Sequence, residues 1–201
     1  MMSDQEIIKG CIKSHSDAQA ALYNRYAPVL RGICMRYTGN KDDAEDVLHD
    51  SLIKALMAMK QYKGNGSFEG WLKRIAMNTC ISYINGKNKS GVSSVNRVVE
   101  NEADDPEETE GNQGLIERFL NSGIEKSDLL QAVAGLPDGY RMVLNMYVID
   151  GMPHHEIAAQ LGISINTSKS QLSRARNLLK SRLLGMIQNN EFNVHVNEKC
   201  Y

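Results

Sequence analysis

Cysteine is scarce and unpaired in this sequence: Cys11, Cys34, Cys80 and Cys200 lie far apart, and no Cys-x-x-Cys occurs. That spacing excludes both a disulfide scaffold and a zinc finger. Long apolar runs are missing too. No stretch approaches the roughly 20 residues that a bilayer span requires, so no membrane insertion is expected. The first residues carry Asp4 and Glu6 without an apolar run, so no signal peptide is expected and a reducing cytoplasm is the default. There is no glycine-rich phosphate loop and no nucleophile elbow. The segment His155-Glu156-Ile157-Ala158-Ala159 begins like a zinc-protease signature, but Ala159 stands where the second histidine must be. The carboxylates show no spacing that picks out an acid–base pair. The expectation is therefore a chain that is not an enzyme, with no catalytic residue, no metal and no cofactor. Strand-like alternation is essentially absent, which makes the fold class all-α.

What is present begins with a strong local signal between Gly151 and Leu183. Ile157, Ala158 and Leu161 fit a short helix, Gly162 allows a tight turn, and Ser164 can cap a second helix with its hydroxyl on an amide near Thr167. That is the grammar of a helix-turn-helix, whose second helix is offered to the DNA major groove. From Lys169 to Arg182 there are five cationic side chains and no carboxylate. At 100° per residue, Ile165, Ser168, Leu172, Ala175 and Leu179 share one side of this helix. Asn166, Thr167, Ser170, Ser173, Arg174 and Asn177 share the other, flanked by Lys169, Arg176 and Lys180. Short polar side chains let a helix approach base edges while cations at its margins grip phosphates. His154 and His155 read as exposed polar residues near a helix start. The formal net charge of −1 does not contradict DNA binding, because it averages opposed segments. Seven carboxylates lie between Glu100 and Glu110 alone.

The charge distribution also divides the chain. Residues 1–89 form a first helical domain and 90–124 an acidic linker. Residues 125–185 form a second, four-helix domain, and 186–201 a tail. In the first domain Ala18, Leu22, Tyr26, Val29, Ile33 and Tyr37 make one apolar stripe. Gly39-Asn40 ends that helix. Asp42, Asp43 and Glu45 open the next, where carboxylates favour the positive helix end. Ala44, Leu48, Ser51, Leu52, Ala55 and Met59 are its inner face. Ser67 caps a third helix whose buried stripe is Phe68, Trp71, Leu72, Ile75, Ala76 and Thr79. In the linker, Leu115 to Leu120 could form a short amphipathic turn. In the second domain Ser127 is read as the cap of a helix bearing Leu130, Val133 and Leu136. Pro137 then opens a helix with Tyr140, Val143, Leu144, Tyr147 and Val148, ending at Asp150-Gly151.

Two further surfaces invite a partner. Arg74, Asn78 and Asn85 line up beside the Tyr62–Phe68 loop, and aromatic and amide groups beside a cationic edge suit an unstacked base. The pattern fits an ordinary exposed edge equally well. Asp46, His49, Asp50, Ile53 and Met57 lie together opposite the core of the second helix, a mixture that suits protein docking but also a solvated face with scattered hydrophobes.

The chain resembles the extracytoplasmic-function sigma factors of bacterial RNA polymerase. Ala44-Glu45-Asp46-Val47-Leu48-His49-Asp50 is similar to the family's Ala-Glu-Asp-x-x-Gln-(Asp/Glu), and Phe68-x-x-Trp71-Leu72-x-Arg74-Ile75-Ala76-x-Asn78 to its Phe-x-x-Trp-Leu-x-x-Ile-Ala-x-Asn. Leu136-Pro137-x-x-x-Arg141, Glu156-Ile157-Ala158, Leu161-Gly162, Thr167-x-Lys169-Ser170 and Arg174-Ala175-Arg176 follow in the family's order. The resemblance implies a region 2 bundle that docks on the polymerase and opens the −10 element, and a region 4 domain that reads the −35 element. By position it assigns Tyr62, Lys63, Asn65, Ser67, Phe68, Arg74 and Asn78 to the −10 strand. Thr167, Lys169, Ser170, Ser173, Arg174 and Arg176 go to the −35 duplex, and Asp46, His49, Asp50 and Ile53 to the core-polymerase interface at the beta' clamp. Promoter DNA and core RNA polymerase are the implied partners, and an anti-sigma factor is a common one in the family. The chain departs from the family at Ser168, where valine is usual and softer packing is expected, and at Leu52, Ser82, Asn85 and Ser173.

Overall fold

The computed structural model describes residues 2–89 and 126–197. The chain divides into two compact units on either side of residue 94. All regular structure among the described residues is helical. The linker and the Leu115–Leu120 turn fall outside these residues.

The first unit holds α1 (Asp4–Ile12), α2 (Ser16–Thr38), α3 (Lys41–Ala58) and α4 (Phe68–Lys89), with a 3-10 turn at Met59–Gln61. Three of these helices, α1, α3 and α4, start where a side chain satisfies a free amide; α2 starts at His15 without one. Ser3 and Glu6 form a reciprocal capping box on α1. Asn40 Oδ1 accepts from the Asp43 amide at 2.9 Å to open α3, and Ser67 Oγ accepts from Gly70 at 3.0 Å to open α4. Gly39 closes α2 at φ 78°, a left-handed conformation that glycine adopts without strain. The α1 helix crosses α2 closely, since a Cβ on Gly10 would stand 2.4 Å from Ala18 Cβ. At the other end of α1, Asp4 accepts from Arg25 at 2.8 Å and from Tyr26 at 2.6 Å.

One residue differs from the expected stripe: Val29, beyond the Ala18 to Tyr26 stretch on which these α1 contacts fall, is 40% exposed. Ala27, Leu30 and Cys34 are buried instead, because α2 also packs on α3 and α4 and its inner face is broader than one stripe. Ile7, Leu22, Leu30, Leu48 and Leu72 are essentially fully buried, and burial of each such side chain contributes about 1.5–3 kcal/mol.

The second unit holds α5 (Lys126–Ala134), α6 (Asp138–Leu144), a π turn at Asn145–Ile149, α7 (His154–Leu161) and α8 (Ile165–Asn197). Ser127 lies inside α5 rather than capping it, and Leu130 is 50% exposed. Val133 and Leu136 face inward as expected, joined by Leu129 and Ala132 in place of Leu130. Pro137 caps α6 as expected. Arg141 is buried and gathers the chain end of α5, donating through Nη1 to Ala134 O at 2.8 Å and Leu136 O at 2.7 Å. It also pairs with Asp138. The α8 helix continues through Gly185 to Asn197.

Candidate nucleic-acid interface

The turn between α7 and α8 forms from its own residues. Gly162 takes φ 67°, and Ser164 Oγ accepts from the Thr167 amide at 2.9 Å. Leu172, Ala175, Leu179 and Leu183 are buried and seat α8 on the unit's core. Ile165, expected on that side, is 47% exposed because it stands at the first residue, ahead of the packed turns.

The outward side carries the expected DNA-facing set in two tiers. Asn166, Lys169, Asn177 and Lys180 are exposed, while Thr167, Ser170, Ser173, Arg174 and Arg176 are half-buried. Thr167 Oγ1 lies 2.8 Å from Ser164 Oγ, and Ser170 Oγ donates to Thr167 O at 3.1 Å, so both hydroxyls already serve the helix start. The Arg176 guanidinium sits over the Tyr147 ring, 5.9 Å from its centroid. Chemically this is a polar strip between cations, suited to base edges and phosphates.

Ser168 and His154 depart from expectation together. Ser168 is fully buried, yet its packing is not soft: Ser168 Oγ and His154 Nδ1 share a 2.9 Å hydrogen bond. His154, expected to be exposed, is half-buried and stacked on Tyr147 at 4.5 Å. No periodicity signals this contact, because its three members come from three different elements.

In the first unit the second candidate surface centres on the loop before α4. Gly64 and Gly66 take φ 76° and 92°, and Tyr62 OH donates to Gly66 O at 2.9 Å, which closes the loop on itself. Phe68 is only 3% exposed. It stacks on Trp71 at 5.8 Å and meets Tyr62 at 5.3 Å and Tyr26 at 5.5 Å edge-on. Phe68 therefore cannot offer its face to a base here; it props the loop from beneath. Trp71, expected to be core, is half-buried beside Tyr62. Lys63, Asn65 and Ser67 are exposed along the loop, and Arg74 and Asn78 are exposed one turn apart on α4. The structure thus brings together the loop and the α4 edge while removing Phe68 from the contact set.

The α3 surface has the expected composition. Asp46, His49 and Asp50 are exposed beside Ile53 and Met57, which are 55% and 78% exposed. The helix is anchored by a latch at its start, on the same side as these residues. Asp43 accepts from Lys87 at 2.7 Å, Tyr83 at 2.8 Å and Asn40 at 2.8 Å. Burial works against ionising Asp43, but these hydrogen bonds outweigh it and hold the carboxyl below its ordinary value. Among the described residues no three metal-ligating side chains gather in one place, and no helix is long and apolar enough to cross a membrane.

Comparison with known proteins matches both units. The family described as Sigma-70 region 2 matches residues 22–90, and that described as Sigma-70, region 4 matches residues 126–179. The ECF RNA polymerase sigma-E factor of Escherichia coli (strain K12) is 26% identical over 187 residues, covering 93% of this chain and 97% of its own. The RNA polymerase sigma-H factor of Pseudomonas aeruginosa is 24% identical over 190 residues, covering 92% and 96%. A solved structure of the sigma factor RpoE from Bartonella quintana, in complex with the anti-sigma factor NepR, aligns with a TM-score of 0.48 and 24% identity over 83% of this chain and 96% of that one.

Proposed function

The chain belongs to the sigma-70 family, and we infer that it acts as an extracytoplasmic-function sigma factor, directing core RNA polymerase to chosen promoters and helping to open them. The observation that carries this reading is the ordered pair of family matches, region 2 before region 4, with a capped helix-turn-helix in the second. The protein is a transcription initiation factor, and the chemistry of RNA synthesis belongs to the polymerase. We propose no catalytic residue and no cofactor for it. Its place of action is the cytoplasm, where the polymerase works.

Residues 1–89 would serve as region 2 and 125–185 as region 4, with 90–124 as the tether. In region 2, Lys63, Asn65, Ser67, Arg74 and Asn78 would receive extruded −10 bases and their backbone, on a loop that Tyr62, Phe68 and Trp71 stiffen. Strand opening would be driven by that capture and not by hydrolysis. In region 4, Lys169, Ser173 and Arg174 would meet the −35 groove, with Thr167 and Ser170 shaping the first turn. Asp46, His49, Asp50, Ile53 and Met57 would dock on the beta' clamp, because exposed apolar groups there gain by leaving water. An anti-sigma factor completes the proposed partners; by covering the same α3 face it would keep the core enzyme off.

The test is transcription in vitro. Core polymerase plus this chain should yield a promoter-dependent transcript that core alone does not, and footprinting should show both elements covered. Tight operator binding by the chain without core would point instead to a repressor or activator. A transcript level equal to core alone would overturn the reading.

A further inference from the structure

The His154 imidazole joins three elements of the second unit. It stacks on Tyr147 of the π turn, with ring centroids 4.5 Å apart and planes 23° from parallel. Its own backbone is the first residue of α7. Its Nδ1 reaches Ser168 Oγ at 2.9 Å, in the first turn of α8. A hydroxyl as fully buried as that of Ser168 requires such a partner.

Helix geometry gives this contact a consequence at the surface. Ser168 stands between Thr167 and Lys169, each turned about 100° away from it. Whatever fixes the inward hydroxyl therefore fixes how its two neighbours are presented outward. Leu172, Ala175 and Leu179 hold the later turns by apolar packing, which is non-directional. The hydrogen bond to His154 is directional, and it acts at the end of α8 nearest the turn. Tyr147 serves both tiers, because its ring backs the imidazole and also carries the Arg176 guanidinium.

Resting on the promoter reading above, we propose that His154 is a positioning residue for −35 recognition. Its Nδ1 sets the seat of the first turn of α8, and Tyr147 holds the ring in place to do so. His154 acts through Ser168 and not by touching a base.

The experiment uses holoenzyme made from the full chain and core polymerase. Its probe is a −35 duplex selected from a randomised library by the wild-type holoenzyme, compared with the same duplex scrambled. His154→Ala should lower the selected-to-scrambled affinity ratio roughly three- to tenfold, the effect expected of one lost directional hydrogen bond. Binding to scrambled DNA and its salt dependence should stay unchanged. Ser168→Ala should cost the same, and the double variant no more. His154→Asn, which keeps an amide group near the Nδ1 position, should recover most of the ratio. The proposal is overturned if His154→Ala keeps the full ratio, if alanine and asparagine lose it equally, or if selected and scrambled DNA weaken in parallel. Should the wild-type holoenzyme select no −35 sequence at all, the promoter reading fails first and this one with it.

Discussion

At the scale of single residues, the side chains that organise this protein are polar ones placed where the chain has unsatisfied groups. Arg141 turns one guanidinium nitrogen to two carbonyls at the end of α5 and the other to Asp138, a planar fork that a lysine could not reproduce. Asp43 gathers Lys87, Tyr83 and Asn40 and ties the start of α3 to the end of α4. Its folded-state pKa is depressed relative to the unfolded chain. The stability it contributes is thus fully present above the ordinary carboxylate range and is lost as pH falls through the depressed value. Thermal unfolding followed by circular dichroism should show a shallower loss of stability on acidification in Asp43→Asn than in the wild type. Identical acid profiles would remove the latch from the account. Such contacts are hard to read in advance, because Asp43 and Lys87 are 44 positions apart. His154 and Ser168 are only 14 apart, yet their pairing depends on a π turn that no composition announces.

At the scale of elements, starts and stops were far more legible than faces. Ser67, Ser164, Gly162 and Pro137 all act where local chemistry says they should, since a cap needs only its own turn. Val29, Leu130 and Ile165 are exposed against expectation because burial depends on which neighbour lies alongside and for how long. Phe68 shows the same limit: the loop it belongs to was visible as a candidate, but its burial beneath Tyr62 and Trp71 was not. The crossing of α1 on α2 offers a sharp test of packing. Gly10→Ala would improve helix propensity by about 1 kcal/mol, but its methyl would meet Ala18 Cβ at 2.4 Å. Overpacking of this kind costs about 1–3 kcal/mol, so denaturant unfolding should show net destabilisation. Gly32→Ala on α2 is the control, because nothing lies within 4 Å of its added methyl. It should be neutral or stabilising by up to about 1 kcal/mol. Equal effects at the two sites would mean that the crossing is looser than described.

At the scale of the whole molecule, the two proposed DNA-binding surfaces, carried on one chain, would gain from effective concentration. That gain requires both elements of a promoter to be reachable together. Inserting about five base pairs between them turns one by roughly half a helical repeat. In competition binding, holoenzyme affinity should then fall to that for DNA carrying a single element. Unchanged affinity would mean that one unit supplies all the recognition. The division into two units was itself legible in the sequence, because the acidic run between Glu100 and Glu110 separates two stretches of helical periodicity.

Each unit also closes around apolar residues of its own, Leu22, Leu48 and Leu72 in the first and Val143, Ile157 and Leu183 in the second. Under the proposed roles, a hybrid joining this region 2 to a relative's region 4 should inherit one parent's preference downstream and the other's upstream.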